Sequence, residues 1–287
     1  MKVLVTGATG FIGNHLIEEL IKNREYSVIA SSRNTEKAKN FNWFDRVEYI
    51  EYELYNKTEK RNLYELFNEP DILLHFAWSE LEDYNSLSHI ENELPNSFKF
   101  IKNLVQNGLK DVVVAGTCFE YGLQNGSLSE ELNTKPSNSY GIAKDSLRKF
   151  LIELKKSYDF NYKWIRFFYM YGKGQSSNSL ISLIDKAIKN NEKSFNMSGG
   201  EQLRDYLEIN EVIENIILIL QQKEYINQPI NCCSGKPISI RKFVEDYLKT
   251  KGYNLNLNLG YYPYQDYEPM AFWGDNKKLE NIKKVLL

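Results

Sequence analysis

A tyrosine and a lysine stand at Tyr140 and Lys144, in the spacing Y-x-x-x-K. The following apolar residues at Leu147, Leu151 and Leu154 recur with the period of a helix, so we predict that this pair opens a long one. Side chains four positions apart on a helix share one face. Because an ammonium beside a phenol favours the phenolate, it lowers the pKa of the tyrosine. We therefore predict Tyr140 as a general acid or base, with Lys144 lowering its pKa.

A hydroxyl residue, Thr117, ends the apolar run that begins at Asp111. Such a run is typical of a strand covered on both faces of a parallel sheet. Its last residue would lie at the carboxyl edge of the sheet, where ligands bind in open α/β folds. We predict that Thr117 hydrogen-bonds the reacting oxygen and completes a catalytic set with Tyr140 and Lys144.

Three glycines follow the first apolar run of the chain, at Gly7, Gly10 and Gly13. The segment before them predicts a buried strand, and residues 15–21 predict a helix. A glycine turn between a strand and a helix lets backbone amides approach a pyrophosphate, whose charge the helix N-terminus favours. In this context the spacing predicts a dinucleotide-binding site, whereas a lone glycine triplet would not.

Strands and helices alternate along the chain as far as residue 169, which predicts an α/β fold with a Rossmann-type, doubly wound parallel sheet. After Gly174 short elements dominate, and we predict a smaller, discontinuous C-terminal lobe that binds substrate. The predicted dinucleotide-binding domain spans residues 1–169 plus about 208–233, and the lobe spans about 170–207 plus 234–287. The predicted strands lie at residues 27–31, 47–52, 71–78, 111–117, 162–169 and 230–232, and the predicted helices at 92–107, 180–190 and 210–222.

The end of the second predicted strand reads Ser31-Ser32-Arg33 and carries no carboxylate. An acidic residue there would bind the ribose 2′-hydroxyl of NAD, whereas a hydroxyl followed by a guanidinium suits a 2′-phosphate. The sequence therefore favours NADP(H), with NAD(H) possible. His75, which ends the fourth predicted strand, has apolar neighbours and is predicted to be a packed histidine rather than a base.

Composition and net charge indicate which kinds of partner and which cellular compartment to expect. The formal net charge is −2 and 26% of residues are charged, which argues against nucleic acid or an anionic membrane as partner. We find no apolar segment typical of a signal peptide or a membrane span. Three cysteines, Cys118, Cys232 and Cys233, suit a reducing cytoplasm better than a disulfide framework. No ligand cluster predicts a metal site.

Two further motifs, together with Thr117 and the Tyr140/Lys144 pair, make this chain similar to a known family of enzymes. The chain has Thr-Gly-Ala-Thr-Gly-Phe-Ile-Gly at residues 6–13 and Arg204-Asp205-Tyr206. In motif order and spacing it resembles the extended short-chain dehydrogenase/reductases that act on nucleotide sugars. The segments 116–122, 197–206 and 262–275 are similar to bacterial dTDP-4-keto-6-deoxyglucose reductases that form dTDP-fucose for deoxysugar and surface-polysaccharide biosynthesis.

The resemblance implies roles for individual residues. Arg204 would pair with the diphosphate of the sugar nucleotide. The alternative without a functional role is a surface arginine that forms an ion pair with Asp205. Tyr169 stands where many members of the family have Asn. The residues that would hold the dinucleotide are Gly7, Thr9, Gly10, Phe11, Ile12, Ser32, Arg33, Glu53, Leu54, Phe76, Ala77, Trp78, Tyr140, Lys144, Phe167 and Phe168. The residues that would contact the substrate are Trp78, Glu120, Tyr121, Tyr169, Asn178, Met197 and Arg204.

Residues after Thr117 separate the branches of this family. The 4,6-dehydratases carry Asp-Glu there, where this chain has Cys118-Phe119, so the acid and base for dehydration are missing. GDP-fucose synthases carry a cysteine where Phe119 stands and a partner histidine near Gln175. Epimerases of the UDP-galactose type have an acidic end to the second strand. What remains is a reductase of a 4-keto group, which needs only the Thr/Tyr/Lys set and exchangeable NADPH.

We therefore expect NAD(P)H-dependent reduction of the C4 keto group of an NDP-4-keto-6-deoxyhexose, in particular of dTDP-4-keto-6-deoxyglucose to dTDP-fucose. One alternative is a nucleotide-sugar 4-epimerase with tightly held NAD. Another is a non-catalytic NADP sensor, against which the complete Thr/Tyr/Lys set argues. The resemblance also implies a homodimer formed through the helices at residues 92–107 and 140–157.

Overall fold

The structure is a computed structural model that describes residues 1–55, 61–264 and 268–287. Its strands are β1 Lys2–Thr6, β2 Ser27–Ser32, β3 Glu48–Glu51, β4 Ile72–His75, β5 Asp111–Thr117, β6 Gly126–Leu128, β7 Asn161–Phe167, β8 Tyr169–Tyr171, β9 Ser194–Asn196, β10 Leu203–Arg204, β11 Tyr206–Glu208, β12 Gln228–Cys232, β13 Ile238–Ser239, β14 Asn256–Asn258 and β15 Phe272–Gly274. Its α-helices are α1 Phe11–Leu20, α2 Thr35–Ala38, α3 Leu63–Leu66, α4 Leu94–Gln106, α5 Ser139–Lys155, α6 Leu180–Lys189, α7 Ile209–Gln221, α8 Ile240–Lys251 and α9 Lys277–Leu286.

In the described part of the chain, a seven-stranded sheet has the order β12-β7-β5-β4-β1-β2-β3. Every pairing within it is parallel. The order reverses between β1 and β4, which places a crevice at the carboxyl ends of these two strands. The prediction of a Rossmann-type, doubly wound sheet is confirmed.

Each face of the sheet buries its own apolar cluster. On one face α1, α7 and α9 pack together, with a core that includes Leu16, Ile213 and Leu279. On the other face α4 packs against α3 and α5, with a core that includes Leu104 and Leu147. Burial of both faces explains why the strands read as continuous apolar runs.

The second lobe is built from short pairings between distant segments. Two-stranded sheets in the described residues join β8 with β11, β10 with β13, β9 with β14, and β6 with β15. A separate apolar cluster, which includes Ile184, Phe243 and Leu255, lies between α6 and α8. Most of these elements lie in residues 170–207 and 234–287, although β8 begins at Tyr169, β11 ends at Glu208, and β6 comes from the loop at residues 122–138.

Three elements differ from the sequence prediction. The fourth strand ends at His75, so Phe76, Ala77 and Trp78 leave the sheet and line the crevice. The predicted helix at 92–107 begins as a π-helical turn, His89–Glu93, and becomes α4 at Leu94. The predicted sixth strand divides, because β7 stays in the large sheet and β8 pairs with β11.

All three cysteines are buried and free. Among the described residues, no helix is long and apolar enough to cross a membrane. Within the same ranges, no group of three or more His, Cys, Asp or Glu side chains could hold a metal ion.

Candidate active site

Thr117 ends β5 and caps the 3-10 helix Cys118–Tyr121. Its hydroxyl accepts a hydrogen bond from the backbone N–H of Phe119 at 3.2 Å, and its own backbone N–H donates to Glu120 Oε1 at 2.9 Å. This reciprocal pair is a capping box, which satisfies the first amides of a helix. The turn fixes the direction of the Thr117 side chain at the carboxyl edge of the sheet.

Glu120 is fully buried beneath Thr117, which differs from its predicted place beside the sugar. Besides the Thr117 amide, its carboxylate accepts bonds from Trp164 Nε1 at 2.8 Å and from Arg166 Nε at 2.7 Å. Tyr121, also predicted beside the sugar, is fully buried and donates its hydroxyl to Asn231 Oδ1 at 2.8 Å. A carboxylate without water needs such partners, so Glu120 supports Thr117 from inside the protein.

Tyr140 lies in the first turn of α5, where Asn138 accepts a hydrogen bond from the Gly141 N–H at 2.8 Å and caps the helix. Its ring stacks on Tyr84 with centroids 5.4 Å apart, and the ring of His89 lies 5.2 Å away. The side chain of Thr117 lies close enough to this hydroxyl to act on the pKa of Tyr140. Thus the structure brings the two predicted residues close together.

Burial raises the pKa of Tyr140 above its usual value, although the side chain of Thr117 opposes that shift. This differs from the expectation that Lys144 lowers the pKa of Tyr140. The Nζ of Lys144 lies 5.8 Å from the centre of the Tyr140 ring and donates instead to the carbonyl of Ala115 at 2.9 Å. Tyr140 is therefore held protonated, as a proton donor requires.

Lys144 is itself buried, and its Nζ lies 3.7 Å from the centre of the Trp78 ring. Burial lowers the pKa of Lys144 to about 7, although Glu93 and Glu120 act in the opposite direction. Loss of water disfavours the ammonium more than the two carboxylates favour it. A cation held beside an aromatic face thus titrates near neutral pH.

The depressed pKa of Lys144 predicts a pH-dependent contribution to stability. Between about 7 and the usual 10.5, the unfolded chain binds a proton at this lysine that the folded protein does not. Stability therefore rises with pH in this window, by up to about 1.4 kcal/mol per pH unit from this group. Urea unfolding should show that the stability of wild type rises relative to that of Lys144→Met as the pH increases above neutral. Parallel curves would contradict the shift.

A cavity of about 410 Å³ opens at the crevice between β1 and β4. Gly7 forms its floor with φ +72°, and a Cβ there would lie 2.8 Å from the carbonyl oxygen of Phe76. Gly10 caps α1, so the amides of Phe11 and Ile12 lie in the first turn of that helix. Glycine is needed at Gly7 because its backbone conformation is one that other residues rarely adopt.

Most of the residues predicted to hold a dinucleotide line this cavity. They are Gly7, Thr9, Gly10, Ser32, Arg33, Glu53, Leu54, Phe76, Ala77 and Trp78. Phe167 and Phe168 were predicted near the nicotinamide, yet both are buried in apolar clusters. Phe167 faces Phe76, with ring centroids 6.3 Å apart, so it packs against a residue that lines the cavity and does not line the cavity itself.

The structure also adds residues that no sequence motif indicated. Lys37 lines the cavity close to Ser32 and Arg33, so two cations stand at the end of β2. Glu93, from the π-helical turn, is a buried carboxyl at the cavity wall. The other additions are Thr6, Ser31, Asn34, Tyr52, Tyr55 and Ser79. His75, as predicted, is packed inside, with its Nδ1 hydrogen-bonded to Thr6 Oγ1 at 2.9 Å.

On the lobe side, Arg204 is buried and pairs with Glu268, Nη2 to Oε2, at 2.7 Å. Tyr169 donates its hydroxyl to the other carboxylate oxygen of Glu268, also at 2.7 Å. Asp205 is not the partner of Arg204, because it accepts bonds from the backbone of Ser234 and Gly235. Arg204 and Tyr169 therefore share one carboxylate.

The remaining predicted substrate residues lie apart from this pair. Met197 is buried in the apolar cluster of the lobe. Asn178 is exposed in the turn before α6, and its backbone N–H donates to Ser176 Oγ at 3.3 Å. In the described structure, neither has a hydrogen bond or ring contact with the Thr117, Tyr140 and Lys144 cluster.

Comparison with known proteins identifies the family. Residues 3–233 match the NAD dependent epimerase/dehydratase family. The chain belongs to this family. It is 30% identical over 275 residues to the dTDP-6-deoxy-L-talose 4-dehydrogenase (NAD(+)) of Aggregatibacter actinomycetemcomitans, covering 96% of this chain and 99% of that protein. It is 26% identical over 261 residues to the dTDP-4-dehydro-6-deoxyglucose reductase of Escherichia coli, covering 85% of this chain and 79% of that protein.

Solved structures of the family agree with the fold. The UDP-glucuronic acid 4-epimerase of Bacillus cereus, in complex with UDP-glucuronic acid and NAD, superposes with a TM-score of 0.85 at 24% identity, covering 99% of this chain and 93% of that one. The UDP-N-acetylglucosamine 4-epimerase of Methanobrevibacter ruminantium M1 superposes with a TM-score of 0.84 at 25% identity, covering 98% and 91%. The resemblance deduced from the motifs is confirmed at the level of the family.

The residues at the crevice fit the nicotinamide dinucleotide that the family uses. Gly7 lets the turn approach the backbone of Phe76 and Ala77 more closely than a Cβ would allow, and the N-terminus of α1 favours a diphosphate. Arg33 and Lys37 add positive charge at the β2 end. The Oε1 atom of Glu93 is buried and has no hydrogen-bond partner in the described ranges, as expected of a group that contacts a ligand.

Proposed function

We propose that this protein is an NAD(P)H-dependent oxidoreductase that reduces the C4 keto group of an NDP-4-keto-6-deoxyhexose, in particular dTDP-4-keto-6-deoxyglucose. The observation that carries the proposal is the cluster of Thr117, Tyr140 and Lys144 beside a cavity that fits a dinucleotide, with Lys144 against the ring of the cavity residue Trp78. The names of two relatives describe oxidation or reduction at position 4 of a dTDP-6-deoxy sugar, which supports this substrate class.

The bound nicotinamide supplies the hydride that reaches C4 of the sugar. Tyr140 donates its proton to the C4 oxygen as the alcohol forms, and its raised pKa keeps that proton in place beforehand. Thr117 donates a second hydrogen bond to the same oxygen, aimed by its capping box. The nearby ammonium of Lys144 stabilises the phenolate that is left.

We propose that Arg204 binds the diphosphate of the sugar nucleotide, because a guanidinium offers a fork of donors. Its Nε has no hydrogen-bond partner among the residues that the structure describes, although the group is buried. A carboxylate, Glu268, already occupies the other side of the guanidinium. Of the remaining predicted contacts, Trp78, Tyr169, Asn178 and Met197 stay proposals for the sugar or the nucleoside.

We propose NADP(H) as the preferred cofactor, from the hydroxyl of Ser32 and the cations of Arg33 and Lys37 at the end of β2. The Arg33→Ala variant should weaken NADP⁺ binding about tenfold and leave NAD⁺ binding within about twofold, because only NADP⁺ presents a 2′-phosphate. Titration calorimetry with both dinucleotides measures this. Equal weakening of both would assign Arg33 to the shared part of the dinucleotide instead.

The test of the proposed function is NADPH consumption, followed at its absorbance, with freshly generated dTDP-4-keto-6-deoxyglucose. We expect stoichiometric oxidation of NADPH, and NMR of the product should show a new hydroxyl-bearing carbon at C4. A Tyr247→Phe protein, altered in the second lobe where that hydroxyl binds Asp185, provides a control for general damage. No consumption with dTDP-, GDP- or CDP-4-keto-6-deoxy sugars would refute the proposal.

The second candidate is a nucleotide-sugar 4-epimerase, which the superposition on two 4-epimerases keeps open. Such an enzyme returns the hydride to the same sugar, so it needs no added cofactor. Interconversion of a UDP-hexose at C4 by protein that purifies with NAD bound would favour it. A non-catalytic NADP sensor would bind the dinucleotide and turn over neither substrate class.

We also propose a homodimer formed through α4 and α5. In the single chain, Ile142 is 39% exposed and Phe150 is 41% exposed on α5, and Phe150 packs against Phe98 of α4 with ring centroids 5.4 Å apart. Exposed apolar groups on two adjacent helices are typical of an interface. Sedimentation analysis of wild type and Phe150→Glu should show a dimer in the former alone.

A further inference from the structure

The cavity wall contains one carboxyl group for which the reaction has no use. Glu93 is 2% exposed and lies at the end of the π-helical turn, where α4 begins. Among the described residues, its Oε1 atom is buried and has no hydrogen-bond partner. Such atoms are rare in folded proteins, because an unsatisfied buried acceptor costs about 1–3 kcal/mol.

The charges around Glu93 are distributed over three other elements. Among the described residues, Lys144 of α5 and Arg33 at the end of β2 attract its carboxylate, whereas Glu53 after β3 repels it. Within the part of the chain that the structure describes, no arginine or lysine hydrogen-bonds it directly. Burial raises the pKa of Glu93 above its usual value, against the opposing influence of Ser79, Lys144 and Arg33. In the free protein Lys144 is its principal counter-charge.

A dinucleotide changes this balance, because it brings at least two negative charges into the same cavity. Both Lys144 and Arg33 would then face phosphate as well as carboxylate. Repulsion between like charges in a site without water is strong, and it disfavours ionisation of the weaker acid. A neutral carboxyl avoids the repulsion, and it gains a proton that it can donate to an oxygen of the ligand.

We propose that Glu93 is a contact of the dinucleotide in its neutral, protonated form, so that cofactor binding takes up a proton at this side chain. The proposal rests on the dinucleotide-binding part of the proposed function, and it is the same for a reductase and for an epimerase. Its consequence is that the protein binds NADP(H) or NAD(H) more tightly as the pH falls through the range in which free Glu93 ionises.

Titration calorimetry with NADP⁺, and in parallel with NAD⁺, tests this in two buffers of different ionisation enthalpy at neutral pH. Because Lys144 also titrates near neutral pH, the measurement is made in a Lys144→Arg background, which keeps the positive charge beside Glu93 but does not titrate in this range. We expect Lys144→Arg to take up a fraction of a proton and Lys144→Arg/Glu93→Gln to take up none. The logarithm of the dissociation constant should rise with pH in the former, by at most about one unit per pH unit, and stay flat in the latter.

The wild-type protein and Glu93→Gln provide a second measurement that does not depend on the Lys144 variant. Infrared difference spectra on NADP⁺ binding should show the carbonyl stretch of a protonated carboxyl in wild type and lack it in Glu93→Gln. Glutamine keeps one donor and one acceptor, so Glu93→Gln should bind NADP⁺ at least as tightly as wild type.

Equal proton uptake in both members of the pair would overturn the inference. A tenfold weaker affinity in Glu93→Gln, together with affinity of wild type that does not change with pH, would also overturn it and make Glu93 an ionised acceptor for a ribose hydroxyl. If wild type binds neither dinucleotide, the proposed function fails together with this inference. If the dinucleotide binds but no proton is taken up at Glu93, this inference fails and the proposed function stands.

Discussion

Tyr140→Phe is expected to lower kcat for 4-keto reduction by about 10³-fold and to change the dissociation constant for NADPH by less than about threefold. The variant removes the hydroxyl beside Thr117 but keeps the ring that stacks on Tyr84. Only the proton donor is lost, so binding of the dinucleotide should persist. Single-turnover measurements with saturating NADPH separate the chemical step from product release.

A rate for Tyr140→Phe within tenfold of wild type would mean that another group protonates the C4 oxygen. Thr117→Val then becomes informative, because it deletes the second hydroxyl while keeping the side-chain shape. If Tyr140 is the acid, Thr117→Val should cost less than Tyr140→Phe, since it removes a hydrogen bond rather than the proton source.

The second large effect is expected from Glu120→Gln, which should lower the free energy of unfolding by about 3–5 kcal/mol. The change leaves the buried guanidinium of Arg166 without its counter-charge, 2.7 Å away in wild type, and weakens the hold on a second arginine, Arg148, at 3.8 Å. Urea denaturation measures the loss. Activity should fall as well, because the capping box around Thr117 depends on the same carboxylate.

The matched control is the double variant Glu120→Gln/Arg166→Met, which removes the unpaired charge and keeps an apolar stem of similar length. The double variant should regain at least half of the free energy of unfolding that Glu120→Gln loses, because removal of both charges of a buried pair is tolerated better than removal of one. Full stability in the single variant would mean that Glu120 is not charged in the folded protein.

The sequence predicted those parts of the site that depend on local spacing. Gly7 precedes a helix, Thr117 ends an apolar run, and Tyr140 and Lys144 share a helical face, so each could be recognised within about twenty residues of chain. The alternation of strands and helices predicted the sheet for the same reason. Ten of the predicted cofactor contacts accordingly line one cavity.

The rest of the site depends on contacts between distant segments. Glu120 follows a strand end, where a carboxylate would ordinarily face water, and its burial requires Trp164 and Arg166 from β7. Arg204 meets Glu268 across the lobe. No local pattern indicates such partners, because charge pairing in the interior is fixed only when the chain has folded.

The pKa of Tyr140 illustrates the same limit. Spacing alone brings Lys144 close to the phenol, but the direction of the shift is decided by how much water remains around both groups. In the structure the rings of Trp78, Tyr84 and His89 surround the pair, so desolvation outweighs the attraction between charges. Aromatic neighbours contributed by a loop and by a π-helical turn cannot be read from the helix that carries the two residues.

The pairing of β6 with β15 also determines when the lobe can form during synthesis. Residues 126–128 pair with residues 272–274, and the backbone amide of Gly274 donates to Asp205. The dinucleotide cavity, in contrast, is lined by residues no later than Glu93. Local contacts form early, whereas contacts across long loops wait for the chain that completes them. A nascent chain therefore completes the cofactor wall well before it reaches Glu268, the residue that completes the surroundings of Arg204.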